Sequence, residues 1–465
     1  MRMIVMKFGG TSVGSADSVR KVVEIIRQSQ GRSPFVVVSA MSGVTDLLLA
    51  SARKAMGRNS STKQIIADIG TRHVGVISQL GLDASLILPE LVELEHVLFG
   101  ISLVKELTAR TLDYVASFGE RMSSKIVAAY AIKSGLNAQA FNSYDLGLVT
   151  DENFGEAEIL PTTYSAISSA VRKIQAGAIP VVTGFIGKTE DGEITTLGRG
   201  GSDYSASIFG AALNAGEIQI WTDVDGIMTA DPSIVPGATS VDVVSFEEAS
   251  ELAYFGAKVL HPKTIVPAMN MKIPVRVLNT FNPPFRGTLI LKDVSKKQDV
   301  TAITSKGNIY VIKINSARML LAYGFLKHVF ALFADFKVPV DLVATSEVNV
   351  SVTVDSRHEI SQLVERLKEF ANVDVLSDRA SISIVGNGIK FTPGISGKIA
   401  SIIGSKGINI EMTSQSYADV NLTIVVMKKH NDEAVRALHD EFFGAEVEAQ
   451  VPVMVKSKSK LRGEA

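Results

Sequence analysis

Two stretches of the chain follow one pattern. Ile309–Ile314 reads as a strand and Tyr323–Phe336 as a helix with Leu326, Val329, Phe330 and Phe333 on one face. Two alternating strands, Val338–Thr345 and Val348–Val354, come next, then a helical Glu359–Ala371. The second pass runs Ile382–Val385, Gly394–Ser405, Ile408–Thr413, Val420–Met427 and Asp432–Phe443. Val340 and Val348 correspond to Ile410 and Val420, at offsets of 70 and 72 residues. Self-similarity of this kind predicts a tandem βαββαβ module, ferredoxin-like in order. A small half-open sheet keeps a bare face or edge, so pairing with a twin is the economical way to cover it.

Before the repeat, short Val/Ile-rich runs (Met3–Phe8, Phe35–Ser39, Ile179–Ile186, Glu217–Thr222) alternate with helix-period segments such as Ser15–Gln30, Ser123–Ser134 and Thr163–Gln175. That alternation predicts an α/β fold with a largely parallel sheet. Ser245-Phe246-Glu247-Glu248 is a capping box opening another helix. Composition shifts at Asn282-Pro283-Pro284 and the charged stretch after it. The expected division is therefore a catalytic-size domain over 1–294, a linker at 295–308, repeats at 309–380 and 381–455, and a frayed basic tail at 456–465.

With 47 Lys plus Arg against 48 Asp plus Glu, no overall field draws the protein onto nucleic acid or an anionic membrane. Zero Cys excludes disulfides, thiol catalysis and Cys-ligated metals, and suits a cytoplasmic location. The longest uncharged run, 174–187, is 14 residues, short of the ~18 that a spanning helix needs, so a soluble chain is expected.

Several strand ends carry chemistry. Lys7-Phe8-Gly9-Gly10-Thr11-Ser12 leads into a helix, and adjacent glycines before a helix N-terminus can cradle phosphate, with Lys7 adding a full charge. Taken alone, the string reads more readily as a tight turn with a snorkelling lysine. Ser39–Thr45 closes the next strand with small residues and hydroxyls, where ligands of open parallel sheets collect. Ser117–Arg121 supplies Glu120 immediately before a helix, where it would favour the positive end. Gly198-Arg199-Gly200-Gly201-Ser202-Asp203 offers a guanidinium fork suited to a carboxylate, with Asp203 placed as a helix cap. The acids of Thr222–Pro232 suit Mg²⁺ or ribose hydroxyls, or ordinary turns. Phe255–Pro262 holds a second lysine, Lys258, and a His261 without a metal-ligand partner at i+4. Gly187-Lys188-Thr189 is no P-loop, because Val182 stands where its first glycine belongs. Gly386-Asn387-Gly388 lacks the third glycine of a dinucleotide fingerprint, so no Rossmann cofactor is indicated.

In this order, with tandem modules behind them, these motifs resemble the aspartate kinases, a monofunctional, lysine-sensitive type of the amino-acid-kinase superfamily with ACT domains. The resemblance covers nearly the whole chain. It implies a carbamate-kinase-like sandwich, two ACT domains, and transfer of the γ-phosphoryl group of ATP, with Mg²⁺, to the β-carboxylate of L-aspartate. By the same resemblance Lys7, Asp203 and Lys258 are catalytic, while Ser39, Thr45, Glu120, Arg199 and Ser202 hold the substrate. Lys7, Gly9, Gly10, Thr222, Asp223, Met228 and Lys258 would hold the nucleotide, with no metal site of the protein's own. Met228 and Ser233 stand where many relatives have Tyr and Arg, which implies altered nucleotide affinity. Met319, Gly324, Phe325, Leu326, Val340, Asp341, Thr345, Ser346 and Glu347 match effector contacts of lysine-inhibited members. Ser414-Gln415-Ser416-Tyr417 departs from the usual small-residue pattern, so the second repeat is expected to serve pairing more than binding. The resemblance also implies a homodimer or dimer of dimers through the ACT domains, and no fused homoserine dehydrogenase. A kinase for glutamate and a non-catalytic amino-acid sensor are the alternatives.

Overall fold

The computed structural model describes residues 3–57, 62–256, 260–294, 299–316, 319, 323–415 and 420–450. The chain divides into two compact units, Met1–Ile227 with Ser240–Lys296, and Met228–Thr239 with Lys297–Ala465.

The first unit is built on an eight-stranded sheet of β1 (Ile4–Phe8), β2 (Pro34–Val38), β3 (Ala138–Phe141), β4 (Ile179–Thr183), β7 (Glu217–Thr222), β8 (Val243–Ser245), β9 (Val275–Asn279) and β10 (Thr288–Leu291). Its order is β3-β4-β2-β1-β7-β9-β10-β8, and only the β9–β10 pair is antiparallel. A separate ribbon joins β5 (Ile186–Lys188) to β6 (Ile194–Thr196). Every residue of β1 and β2 is buried, which is why both read as unbroken apolar runs rather than alternating ones. The helices are α1 (Ala16–Gln28), α2 (Val44–Ala55), α3 (Thr62–Gln79), α4 (Leu88–Val104), α5 (Ala109–Lys133), α6 (Thr163–Val171), α7 (Gly201–Ala212), α8 (Phe246–Tyr254) and α9 (Pro262–Asn270). The Ser245/Glu248 capping box opens α8 with both reciprocal bonds made. Among the described residues no helix is long and apolar enough to cross a membrane.

The second unit carries one six-stranded antiparallel sheet, β12-β13-β11-β14-β16-β15. Its strands are β11 (Ala302–Asn315), β12 (Leu342–Thr345), β13 (Asn349–Asp355), β14 (Asn372–Val385), β15 (Met412–Ser414) and β16 (Asn421–Met427). Its helices are α10 (Phe325–Asp335), α11 (Ser361–Lys368), α12 (Ile395–Ser405) and α13 (Asn431–Gln450). The two repeats pair within the chain. β11 and β14 run antiparallel along their length, with irregular register between Lys306 and Val311.

This exchange alters the simple tandem picture. The part of β11 past the irregularity serves the first repeat, whereas Ala302–Lys306 pairs with Ser381–Val385 and becomes the fourth strand of the second. Residues expected in a linker at 295–308 thus include a core strand, with Ala302 and Ile303 buried. The second repeat's core joins Ile303, Ile384, Ile399 and Leu438, and it also takes in Ala230 and Val235. Met228–Thr239 belongs to this unit, held by Thr229, whose carbonyl accepts from Ile303 N at 2.8 Å and whose hydroxyl meets His439 Nε2 at 2.9 Å.

Candidate active site

The carboxyl ends of β1, β2 and β4 open on a cavity of about 320 Å³ lined by residues of the turns that follow them, of the turn before α7, and of α2, α5 and α7. Lys7, on β1, is 8% exposed, and its Nζ lies 2.6 Å from Asp203 Oδ1. Asp203 lies in the first turn of α7 but does not cap it. Gly200 occupies the cap position in the left-handed region (φ 69°), and the Asp203 carboxylate faces Lys7 instead. An ion pair in so enclosed a place gives each charge its counter-charge and holds the lysine at the strand end.

The β1 and β2 turns touch closely. Ser42 N–H donates to Gly10 O at 3.0 Å, and a Cβ on Gly10 would stand 2.8 Å from Ala40 O. Only glycine permits that approach.

Glu120 lies in the middle of α5, not before a helix as the sequence reading expects, so no helix end stabilises it. The helix is longer than its apolar period suggested because it begins at Ala109, capped by Thr108. Gly119 lets it approach the β2 turn, since a Cβ there would stand 2.7 Å from Ala40 Cβ. Glu120 Oε1 accepts from Ala40 N–H at 3.0 Å, and Oε2 has no hydrogen-bond partner among the described residues. Burial pushes its pKa up to about 8, against the smaller lowering by the Ala40 N–H. The cavity therefore presents a buried carboxyl group with one oxygen unengaged by any hydrogen bond among the described residues.

Ser39, Thr45 and Ser202 line the same cavity. Arg199 does not: it lies between two lining glycines but is itself exposed, with no ion pair among the described residues. Lys258 lies outside the described residues. Its neighbour His261 is near the site, for burial lowers its pKa first, and the cations of Lys263 and Arg199 lower it further.

At the end of β7, Gly9 N–H donates to Trp221 O at 3.0 Å, tying the first turn to that strand. Thr222 donates to the Asp223 carboxylate at 3.2 Å, and Asp225 accepts from Asn279 (2.8 Å) and Asn282 (3.1 Å). Met228 falls in the second unit, and Ser233 is engaged with Asp231 in an Asx turn. Among the described residues no three acids or histidines cluster as a metal site; Asp225 is held by Asn279 and Asn282, and Asp231 serves a turn with Ser233.

Sequence reasoning missed Asp113. Its carboxylate accepts from Gly155 N–H, Thr196 N–H and the Thr196 hydroxyl at 2.8–2.9 Å, so it anchors the ribbon that leads into Gly198–Asp203. Burial raises its pKa. A lone acid before a helical run carries no local signal of a partner 83 residues on.

In the first repeat, Gly324 caps α10 in the left-handed region (φ 90°), and Phe325 packs edge-on against Phe370. Leu326, Thr345, Ser346 and Glu347 are exposed, while Met319 and Val340 are half-buried. Ser346 N–H donates to Asn349 O. Asp341 is paired with Lys306. Ser416 and Tyr417 lie outside the described residues.

A largely parallel sheet whose strand ends open on a cavity holding a lysine–carboxylate pair and a second buried carboxyl group defines a small-molecule site in an α/β domain followed by a tandem ferredoxin-like repeat. The amino acid kinase family profile matches residues 2–279, and an ACT domain profile matches 382–442. Aspartokinase 1, chloroplastic, of Arabidopsis thaliana is 41% identical over 94% of this chain and 80% of its own. Lysine-sensitive aspartokinase 3 of Escherichia coli is 32% identical over 95% and 99%. The crystal structure of E. coli aspartokinase III in complex with aspartate and ADP (R-state) superposes with a TM-score of 0.81 at 30% identity, covering 95% of this chain and 100% of that one. The chain belongs to the aspartokinase family.

Proposed function

We propose that this chain phosphorylates the β-carboxylate of L-aspartate from ATP in the cavity at the ends of β1 and β2, and that Glu120 takes the substrate ammonium. The observation that carries this reading is the buried Glu120 carboxyl group, with Oε2 unpartnered, in the same cavity as the Lys7–Asp203 pair. Arg199 takes the α-carboxylate by folding its exposed fork over the cavity, and Ser39, Thr45 and Ser202 supply hydroxyls around it.

A β-carboxylate with a reference pKa of ~3.9 is already ionised at neutral pH, so no general base is needed. A carboxylate oxygen forms a bond to the γ-phosphorus, the bond from that phosphorus to the β–γ bridging oxygen breaks, and ADP leaves. Positioning and charge compensation carry the catalysis. Lys7 neutralises the transferring group, aided in this reading by Lys258, and Asp203 orients Lys7. Gly10 offers its backbone N–H to phosphate while the Gly9 N–H keeps the turn tied to Trp221 O, and Thr222 and Asp223 border the nucleotide. Mg²⁺ arrives with ATP, and no step assigned to these residues runs through it.

The E. coli relative has a structure in complex with lysine and aspartate (T-state), matched with a TM-score of 0.77. We extend lysine inhibition to this chain through the first repeat, with Met319, Gly324–Leu326, Val340, Asp341 and Thr345–Glu347 as contacts. Pairing of chains through the ACT domains and a cytoplasmic setting complete the reading.

ATP-dependent hydroxamate formation with aspartate and with glutamate, titrated with lysine, tests it. Turnover with aspartate, little with glutamate and inhibition by lysine are expected. No hydroxamate with either acid would leave a sensor rather than an enzyme.

A further inference from the structure

Asp341 stands immediately before β12, its N–H donating to Thr353 O at 2.9 Å. Its carboxylate is engaged: Lys306 Nζ lies 3.2 Å from each oxygen, and the two side chains are only 18% and 10% exposed. Lys306 comes from the stretch of β11 that pairs with the second repeat, opposite Ser381, directly before the register irregularity. Beside this pair, Asp355 accepts from Arg357 at 3.0 and 2.6 Å. Asp355 also feels the charge of Lys306, and Arg357 that of Asp341. Two carboxylates and two cations share this corner of the first repeat.

Resting on the effector reading above, we propose that Lys306 is a tethered competitor for the effector ammonium at Asp341, and so sets the effector concentration to which the protein responds. The side chain is chemically the same ammonium on the same four-carbon stem as free lysine. A ligand that engages Asp341 must therefore displace an equivalent group held at high local concentration by its own backbone. Its apparent affinity is reduced by the fraction of molecules in which the internal pair is open. The displaced ammonium still feels the charge of Asp355, whose oxygens Arg357 holds. Because Lys306 belongs to the strand stretch shared with the second repeat, its release is felt there as well as in the first.

The test is the lysine response of purified K306Q, K306M and K306R enzymes beside D341N, read by calorimetric lysine binding and by inhibition of hydroxamate formation. In K306Q and K306M the half-inhibitory lysine concentration and the dissociation constant should fall about tenfold. Turnover without lysine should stay within about twofold of the parent, which also reports an intact fold. K306R, which keeps the cation, should stay near the parent. D341N should lose lysine binding. An unchanged or weakened response in both neutral variants, with D341N still insensitive, would overturn the competitor and leave the effector reading standing. Full lysine binding by D341N, or none by the parent, would overturn the effector reading itself.

Discussion

Replacing Glu120 by Gln tests the site through protons. Burial pushes the Glu120 carboxyl group up to about 8 because it disfavours the charged form. A bound ammonium supplies the missing counter-charge, so binding at neutral pH must expel a proton. The apparent affinity then scales with the ionised fraction of the free enzyme, losing roughly tenfold per pH unit below about 8 and levelling above it. Between pH 8.5 and pH 6.5 the KM for aspartate should rise roughly 25-fold, the ratio of 1 + 10^(pKa − pH) at the two values. Neither the ammonium nor the carboxylates of aspartate titrate in that window.

In E120Q the proton linkage is gone, so KM should be high and flat across the same range, with kcat reduced less than kcat/KM. Stability carries the same signature with a definite sign. The native carboxyl holds a proton that the unfolded chain has released between about pH 4.5 and 8, so the parent loses stability as pH rises through that window. The loss approaches ~5 kcal/mol at most by pH 8. E120Q, isosteric with the protonated acid, should melt at a similar temperature near pH 5 and several degrees higher at pH 8.5, both without substrate. A pH-independent KM in the parent, or an identical slope in E120Q, would refute the ammonium role.

Other outcomes follow from the same geometry. Lys7→Ala should lower hydroxamate turnover by about 10³-fold with unchanged circular dichroism, in the range of losing a main transition-state charge partner. Gly10→Ala drives a Cβ to 2.8 Å from Ala40 O, so about 1–3 kcal/mol of stability in urea melts should go with part of the activity. Arg199→Lys removes the planar fork while keeping charge, and should raise KM for aspartate about tenfold with kcat nearly intact. Asp113→Asn strips one acceptor from the Thr196 and Gly155 bonds, and should lower the melting temperature and raise both KM values together.

What the sequence reveals is what short-range physics writes into it. β1 and β2 are buried on both faces, so their apolar runs are unmistakable, and the turns after them collect small residues because backbones meet there. The capping box at Ser245 is legible because all of its partners lie within three residues. Glu120 is legible as a residue but not in its setting, since the N-terminal part of α5 has mixed polarity and only the fold reveals that the helix continues upstream.

The misread segments share another cause. Val300–Lys306 and Met228–Thr239 each contain a few buried apolar side chains among turn residues, which is how a linker or loop reads. Periodicity records that Ile303 and Val235 need covering but says nothing about which surface covers them. The answer lies in the second repeat, where β14, paired with β16 on one side, takes Ala302–Lys306 on the other. Deleting 300–306 should therefore unfold the second repeat rather than shorten a tether, losing far more stability than the same deletion in an exposed loop.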